Sequence, residues 1–400
     1  MDSFIVDGVR TPIGSFGGTL SSVRADDLGA LVISELVRRN EKLDFSLISD
    51  VILGCANQAG EDNRNVSRMS LLLAGLPWTV PGETVNRLCA SGMSAIVHGQ
   101  RAINNLDGDL FISGGVENMT RGPWVMSKAS KAFGRDSQMH DSSFGWRFIN
   151  PQMKELYGTE GMGETAENLA ELYSISRDDQ DKFAYWSHMK ATEARNTCVF
   201  EKEIVPVVIP QRKAEDIVFK DDEFIKPKTT LEILGKLRPA FRSGGTVTAG
   251  NSSGLNDGAA ATLLASENGL KKYNLTPKAR IVSSGVAGVE PRYMGIGPVY
   301  ASEIALKKAG LTLADMDVIE LNEAFSAQVL ACSRKMGLAD NDPRINPNGG
   351  AIALGHPLGV SGTRIVYSAA LELERQNKKY ALCTMCIGVG QGYAVIIERV

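Results

Sequence analysis

Cys89 stands in Val85-Asn86-Arg87-Leu88-Cys89-Ala90-Ser91-Gly92-Met93, where a strand-like start meets small residues and then a helical pattern with Met93, Ile96, Val97 and Ile103 on one face. A thiol at a helix N-terminus feels the positive end of the helix dipole, which favours the thiolate. The same place also suits a small buried hydrophobe. His356 is one of four histidines, and five glycines fall within the fourteen residues Gly349–Gly362 around it. Glycines permit close backbone approach, so an imidazole locked between Gly355 and Pro357 is placed as a general base. The other three are weaker candidates: His98 lies about 2.5 helical turns beyond Cys89 and points away, His188 sits mid-helix, and His140 falls in a polar loop.

Cys386 ends a strand-like run and is followed by Gly388, Gly390 and Gly392. A thiol displayed beside free backbone N–H groups supplies the parts of an oxyanion hole. Cys383-x-x-Cys386 also invites a redox or zinc reading. Residues three apart on a strand face opposite sides, and zinc needs two further ligands that no second pair supplies. Asn322 follows the strand-like Val318–Leu321, where its amide could hold a water or a carbonyl oxygen, or cap a helix. The polar turn Thr246–Gly254 could meet a phosphate or amide of a long ligand, or be a plain turn. Two thiols, an imidazole and an amide at strand ends suit acyl transfer through a Cys thioester. One thiol would be the nucleophile, the imidazole its base and the second thiol a proton shuttle. The chain has no Walker A motif, no dinucleotide fingerprint and no clean G-x-S-x-G elbow.

These residues hang on alternating elements. Strands are predicted at Ser3–Val6, Val51–Gly54, Leu110–Ser113, Ala261–Ala265, Ala279–Ser284, Val318–Leu321, Tyr380–Cys386 and Tyr393–Glu398. Helices are predicted at Ala25–Arg39, Ala90–Asn104, Thr165–Leu172, Arg177–Asn196, Val299–Ala309, Ala324–Met336 and Ser361–Gln376. Such alternation argues an α/β fold with sheets covered by helices. A faint repeat sets Ser49–Gly54 against Met316–Leu321, Pro81–Ser94 against Asp342–Gly362, and Leu110–Glu117 against Ala381–Gly390, in the same order, which implies two similar halves. Thr120–Thr246, with scattered Pro, charge and aromatics, reads instead as an inserted loop domain.

At 400 residues, with 43% hydrophobic and 22% charged, the chain is long enough for two or three domains and too apolar for disorder to dominate. A net charge of -3 offers no field for nucleic acid or an anionic membrane. No apolar run approaches the ~20 residues of a membrane span. Six cysteines make no disulfide framework and point to a reducing compartment. The N-terminus reads as neither signal nor transit peptide, and a cytoplasmic location is expected.

Four motifs, Asn86–Gly92, Asn322–Phe325, Gly355-His356-Pro357 and Cys386–Gly392, resemble the signatures of the thiolases, and the resemblance runs from Val9-Arg10-Thr11-Pro12 through the whole chain. It implies two βαβαβαββ halves in a five-layer αβαβα arrangement: residues 1–120 and 250–276 for the first half, 121–249 for an inserted loop domain and 277–400 for the second half. It implies CoA-dependent cleavage of a 3-oxoacyl-CoA, or the reverse condensation. Cys89 would be the acylated nucleophile, His356 its base and Cys386 the proton carrier. Asn322 (through a water) and His356 would form one oxyanion hole, and the N–H groups of Cys89 and Gly388 the other. CoA would be a co-substrate, with no resident cofactor and no metal. Ser253, Met162, Phe241, Ala324, Phe325, Lys226 and Met294 would lie near the ligand, and a homodimer or homotetramer is expected. Gly161-Met162-Gly163 departs from the His-Met-Gly of acetoacetyl-specific members, and Lys226 stands where many have Arg. The stretches 54–65, 145–151 and 290–295 most resemble members that cleave 3-oxoadipyl-CoA, for which Arg147 or another loop cation would meet the distal carboxylate. Fatty-acid 3-ketoacyl-CoA and acetoacetyl-CoA thiolases are the alternatives, and a non-catalytic acyl-CoA binder a remote one.

Overall fold

The structure is a computed structural model and describes residues 2–400. Among the described residues, one mixed sheet carries nine main strands. They are β1 (Ser3–Arg10), β2 (Asp50–Gly54), β3 (Gly82–Val85), β4 (Leu110–Asn118), β5 (Asn256–Ser266), β6 (Ala279–Gly288), β7 (Val318–Leu321), β8 (Tyr380–Ile387) and β9 (Gln391–Arg399). Their order is β7-β8-β9-β6-β1-β5-β4-β2-β3, and the two-residue strand Gly14–Ser15 pairs with β5.

That order repeats outward from the centre. β1-β5-β4-β2 on one side matches β6-β9-β8-β7 on the other. In each half the outer pair (β2 with β4, β7 with β8) is parallel and the remaining pairs are antiparallel. Even β3, parallel to β2, has its echo in a bridge from Ile345 to Ile319. The halves join where Phe4 and Ile5 pair with Arg280 and Ala279. With Gly54 set on Leu321, as the sequence repeat requires, the registers Gly54–Gly115 and Leu321–Thr384 make Glu117 the counterpart of Cys386.

Helices cover both faces of each half. α1 (Ala25–Arg39) and α2 (Val66–Leu73) pack outside the first half. α6 (Gly297–Ala309) and α7 (Ser326–Lys335) pack outside the second. α3 (Ser91–Asn104) and α8 (Leu358–Gln376) lie between the two. Adjacent strand residues divide accordingly. Leu263 joins the outer core with Leu28, Val32 and Leu36, while Leu264 joins the central core with Met93, Ile96 and Ile365. In the second half Leu382 and Ile396 face outward and Cys383 and Val395 inward. Burial on both faces is why these strands read as nearly continuous apolar runs. The result is the five-layer thiolase-type α/β arrangement. Both ends of α1 and of a long helix, α5 (Arg177–Asn196), fall where the periodicity predicts.

The central helices cross on bare backbone. A Cβ on Gly92 would lie 2.4 Å from the Gly359 carbonyl oxygen, and one on Gly362 would lie 2.4 Å from the Met93 nitrogen. Glycine at both places brings the first turns of α3 and α8 together.

Between β4 and β5 the chain leaves the main sheet. It forms two small hairpins, Trp124–Met126 with Met139–Asp141 and Val207–Ile209 with Ile217–Phe219, as well as α4 (Met162–Leu172) and α5. His140 therefore lies on a hairpin strand and not in an open loop, its backbone paired with Val125. The excursion is clamped to β1 by a buried cation: Arg10 pairs with Glu203 at 2.6 Å and with Asp222 at 2.7 and 2.9 Å.

Because the helix crossing has no room for a methyl group, Gly362→Ala should destabilise the protein by about 1–3 kcal/mol, read as a lower urea midpoint at unchanged slope. An unchanged midpoint would mean the two helices can part without loss of packing.

Candidate active site

Cys89 lies in a 3-10 turn, Leu88–Ala90, that feeds α3. Leu88 is held in left-handed backbone at φ 46°, a strain of about 1–3 kcal/mol. The surroundings impose it. Asn86 Oδ1 accepts the Leu88 N–H at 2.9 Å, and Ser91 Oγ accepts the Arg87 N–H at 2.9 Å and donates to the Leu88 carbonyl at 2.7 Å. The second strained turn joins β8 to β9 through Gly388, Val389 (φ 63°) and Gly390 (φ 80°). It aims the Gly388 N–H at the Cys89 sulfur, which its own N–H also faces. Two backbone donors therefore converge where an oxyanion would form.

Burial pushes the Cys89 thiol up to about 11, against these two N–H groups. Burial thus favours the neutral thiol and opposes the pull of the helix N-terminus toward thiolate. Burial likewise pushes Cys386 well up, and its charge interactions run to Cys89 and to Cys332. The Cys89 and Cys386 thiols thus lie within reach of each other's charge. Cys383 points into the central core on the other face of β8, so Cys383 and Cys386 do not form one pair.

His356 is buried and, through burial and then the nearby Arg364 charge, pushed down to about 4. Its Nδ1 is 2.7 Å from Ser361 Oγ, whose own hydrogen goes to the Pro357 carbonyl at 3.0 Å. With the Ser361 hydroxyl donating to Pro357 it can accept from Nδ1–H, the arrangement that leaves Nε2 free to act as a base. Asn322 Nδ2 sits 3.4 Å from that Nε2. Asn322 is not a helix cap, since α7 begins only at Ser326. Its buried Oδ1 has no partner and is open to a ligand or a water. The His356 N–H is anchored to Asn256 Oδ1 at 2.9 Å. Gly355, at φ 107°, must be glycine, because a Cβ there would lie 2.5 Å from the Asn256 side chain.

Cys386 shares an apolar cluster with Ala166, Val247, Met294, Ala324, Phe325 and Met162. The sulfur of Met162 lies 3.6 Å from where a Gly388 Cβ would stand. Four of the residues expected near the ligand thus form one wall beside the thiols. Phe241 meets Phe325 edge to face at 6.1 Å, and the Ser253 N–H donates to the Ala324 carbonyl at 3.0 Å, so both border the same wall. Lys226 lies further out, exposed, with its ammonium over the Phe224 ring at 4.7 Å. Arg147 is half-buried, its Nη1 3.4 Å from the Ser142 carbonyl.

Glu117 escaped the sequence reading. It is buried and accepts the N–H groups of Ala56 (2.9 Å), Asn57 (3.0 Å) and Gly359 (2.8 Å). Burial pushes it up to about 7 against those donors. Cys55, Asp62 and Glu117 offer ligand atoms within 4.8 Å of one another, a spacing that could hold an ion. Their carboxylates are already engaged: Asp62 accepts from Gln58 and Gly60, and Glu117 from the three N–H groups above. They serve here as anchors of the loop beside Cys89. The only sequence signal for Glu117 is a carboxylate at the end of an otherwise apolar strand.

The imidazole assignment can be checked directly. Nitrogen-15 NMR of His356 should show the Nδ1–H tautomer from pH 8 to pH 6 without a midpoint near 6.5. A midpoint there would mean that burial does not depress this group.

Two family profiles match the chain: "Thiolase, N-terminal domain" over residues 3–268 and "Thiolase, C-terminal domain" over residues 275–399. The 3-oxoadipyl-CoA/3-oxo-5,6-dehydrosuberyl-CoA thiolase of Escherichia coli (strain K12) is 58% identical over 399 residues and covers 100% of both chains. The beta-ketoadipyl-CoA thiolase of Acinetobacter baylyi is 56% identical and covers 100% of this chain and 99% of its own length. Among solved structures, human mitochondrial 3-ketoacyl-CoA thiolase superposes with a TM-score of 0.92 at 41% identity, covering 100% of this chain and 99% of that one.

Proposed function

The chain belongs to the thiolase family, and from that premise we propose that it cleaves 3-oxoadipyl-CoA with CoA to give succinyl-CoA and acetyl-CoA. It is an acyltransferase that acts on acyl-CoA. The observation that carries the substrate is end-to-end similarity, at 56–58% identity, to enzymes named for that compound. A neutral 3-oxoacyl chain is the second reading, because the wall of Met162, Met294, Val247 and Phe325 beside Cys386 is apolar.

The arrangement supports the following steps. Cys89 attacks the 3-oxo carbon while His356 Nε2 takes the thiol proton. The new alkoxide forms against the N–H groups of Cys89 and Gly388, each donor of this kind being worth about 3–4 kcal/mol. When the C2–C3 bond breaks, the electron pair passes to the acetyl-CoA enolate. Its oxygen meets Nε2–H of His356 and a water held by Asn322, and its carbon takes a proton from Cys386. The incoming CoA thiol then gives its proton to Cys386, its sulfur attacks the acyl carbonyl, and Cys89 leaves as a thiolate that recovers its proton from His356. The base thus becomes a donor through the proton it has just received, so one imidazole serves two consecutive needs.

We assign residues 1–120 and 250–276 to the first half, 277–400 to the second, and 121–249 to the insertion that holds CoA. Phe241, Ser253, Ala324 and Phe325 would flank its thiol-bearing arm and Lys226 would meet a phosphate. β3 ends the sheet with one side unpaired among the described residues, which a second copy can cover in a homodimer or homotetramer. Six free thiols, two of them needed reduced, fit a reducing compartment such as the cytoplasm.

Cys89→Ala should abolish turnover and acyl labelling together. Cys386→Ala should keep acyl labelling of Cys89 while turnover falls by about a hundredfold or more, and equal loss of both would contradict the division of roles. The substrate is tested by kcat/KM for 3-oxoadipyl-CoA, acetoacetyl-CoA and a medium-chain 3-oxoacyl-CoA side by side. The dicarboxylic substrate should lead by about tenfold, roughly 1.4 kcal/mol. A neutral substrate in the lead would favour the second reading.

A further inference from the structure

We infer that Arg147, with the Ser142 hydroxyl beside it, holds the distal carboxylate of a dicarboxylic acyl group, an inference that rests on the 3-oxoadipyl-CoA reading above. Three stretches far apart in sequence meet here. The Ser142 carbonyl accepts from Asn57 Nδ2 at 3.0 Å and from Arg147 Nη1 at 3.4 Å. The neighbouring Trp146 Nε1 donates to the Glu160 carbonyl at 3.3 Å, and Glu160 pairs with Arg292 at 2.7 Å. Met162 follows Glu160 by two residues and Met294 follows Arg292 by two, and both line the apolar wall beside Cys386. On the other side, Asn57 is tied through its N–H to Glu117, and Asn86, three residues before Cys89, donates to the Ala56 carbonyl at 3.1 Å. Arg147 is thus strung between the two walls that converge on the thiols.

The local groups suit an anion. Ser142 is 2% exposed, yet its Oγ has no partner. His140 Nε2 is buried and also unpartnered, its ring set edge to face against Phe148 at 4.9 Å. Asp141, the acid next in sequence, is turned onto its own loop, where it accepts the Ser143 N–H at 2.8 Å. Of the two arginines, Arg292 already has Glu160. Arg147 touches only a carbonyl, at long range, and keeps the paired donors that fit a carboxylate.

The test measures kcat/KM for 3-oxoadipyl-CoA and for 3-oxohexanoyl-CoA, which has the same carbon count and a methyl in place of the carboxylate. Wild type, Arg147→Gln, Arg147→Lys and Ser142→Ala are compared. The ratio of the two substrates should fall about tenfold or more in Arg147→Gln, less in Arg147→Lys and roughly threefold in Ser142→Ala, with the dicarboxylic substrate carrying the loss. Should Arg147→Gln fail to fold, the Arg147→Lys and Ser142→Ala ratios decide by the same criterion. A ratio within about twofold of wild type overturns the subsite while the substrate reading stands. A wild type that prefers 3-oxohexanoyl-CoA overturns the substrate reading and the subsite with it.

Discussion

The contact on which the site depends is the approach of two backbones at Gly92 and Gly359. Cys89 precedes one of these glycines by three residues and His356 precedes the other by three. Whatever sets the helix crossing therefore sets Cys89 and His356 at the same end of the central layer. No side chain mediates that approach. Glu117 reinforces it from below. One carboxylate binds the Gly359 N–H at the start of α8 and the Ala56 and Asn57 N–H groups in the loop beside Cys89. A carboxyl buried in this way ties the two halves at the point where Cys89 and His356 meet. Its burial cost is offset by three backbone donors that would otherwise be unpaired.

Burial has opposite effects on the thiol and the imidazole. It raises Cys89 and lowers His356. Both shifts favour the uncharged members of the pair, and the backbone donors beside Cys89 are already in place. Two strained turns keep them there, with Leu88 and Val389 in left-handed backbone on either side of the same sulfur. Strain of this kind persists only where surrounding contacts over-determine the turn, and at Leu88 three hydrogen bonds do so.

The layered fold was legible because both faces of every central strand are covered, which turns the strands into apolar runs separated by amphipathic helices. Cys89 stood out because it lies among small residues just ahead of a helix, and His356, Cys386 and Asn322 because each sits beside glycine or at a strand end, where sequence and geometry are closely linked. Glu117, Asn256 and Ser361 were not. The Glu117 and Asn256 contacts join residues 242 and 100 positions apart, and nothing near either residue announces its partner. Ser361 is only five residues from His356, but its effect depends on where its single hydrogen points. The helix boundaries at Met162 and Ser326 also moved by two or three residues from those predicted, since both helices begin at ligand-facing turns with little periodicity.

The twofold repeat in the sheet has a consequence for how tasks are shared between the halves. Register makes Glu117 the counterpart of Cys386, and the same alignment makes Cys55 the counterpart of Asn322. In one half Glu117 holds three backbone N–H groups, and in the other the matching position carries the buried Cys386 thiol. A carboxyl committed to three backbone donors is not free to shed and regain a proton, whereas the thiol has no such duty. Two matching places in one repeated sheet thus divide a holding task from a task that leaves the side chain free.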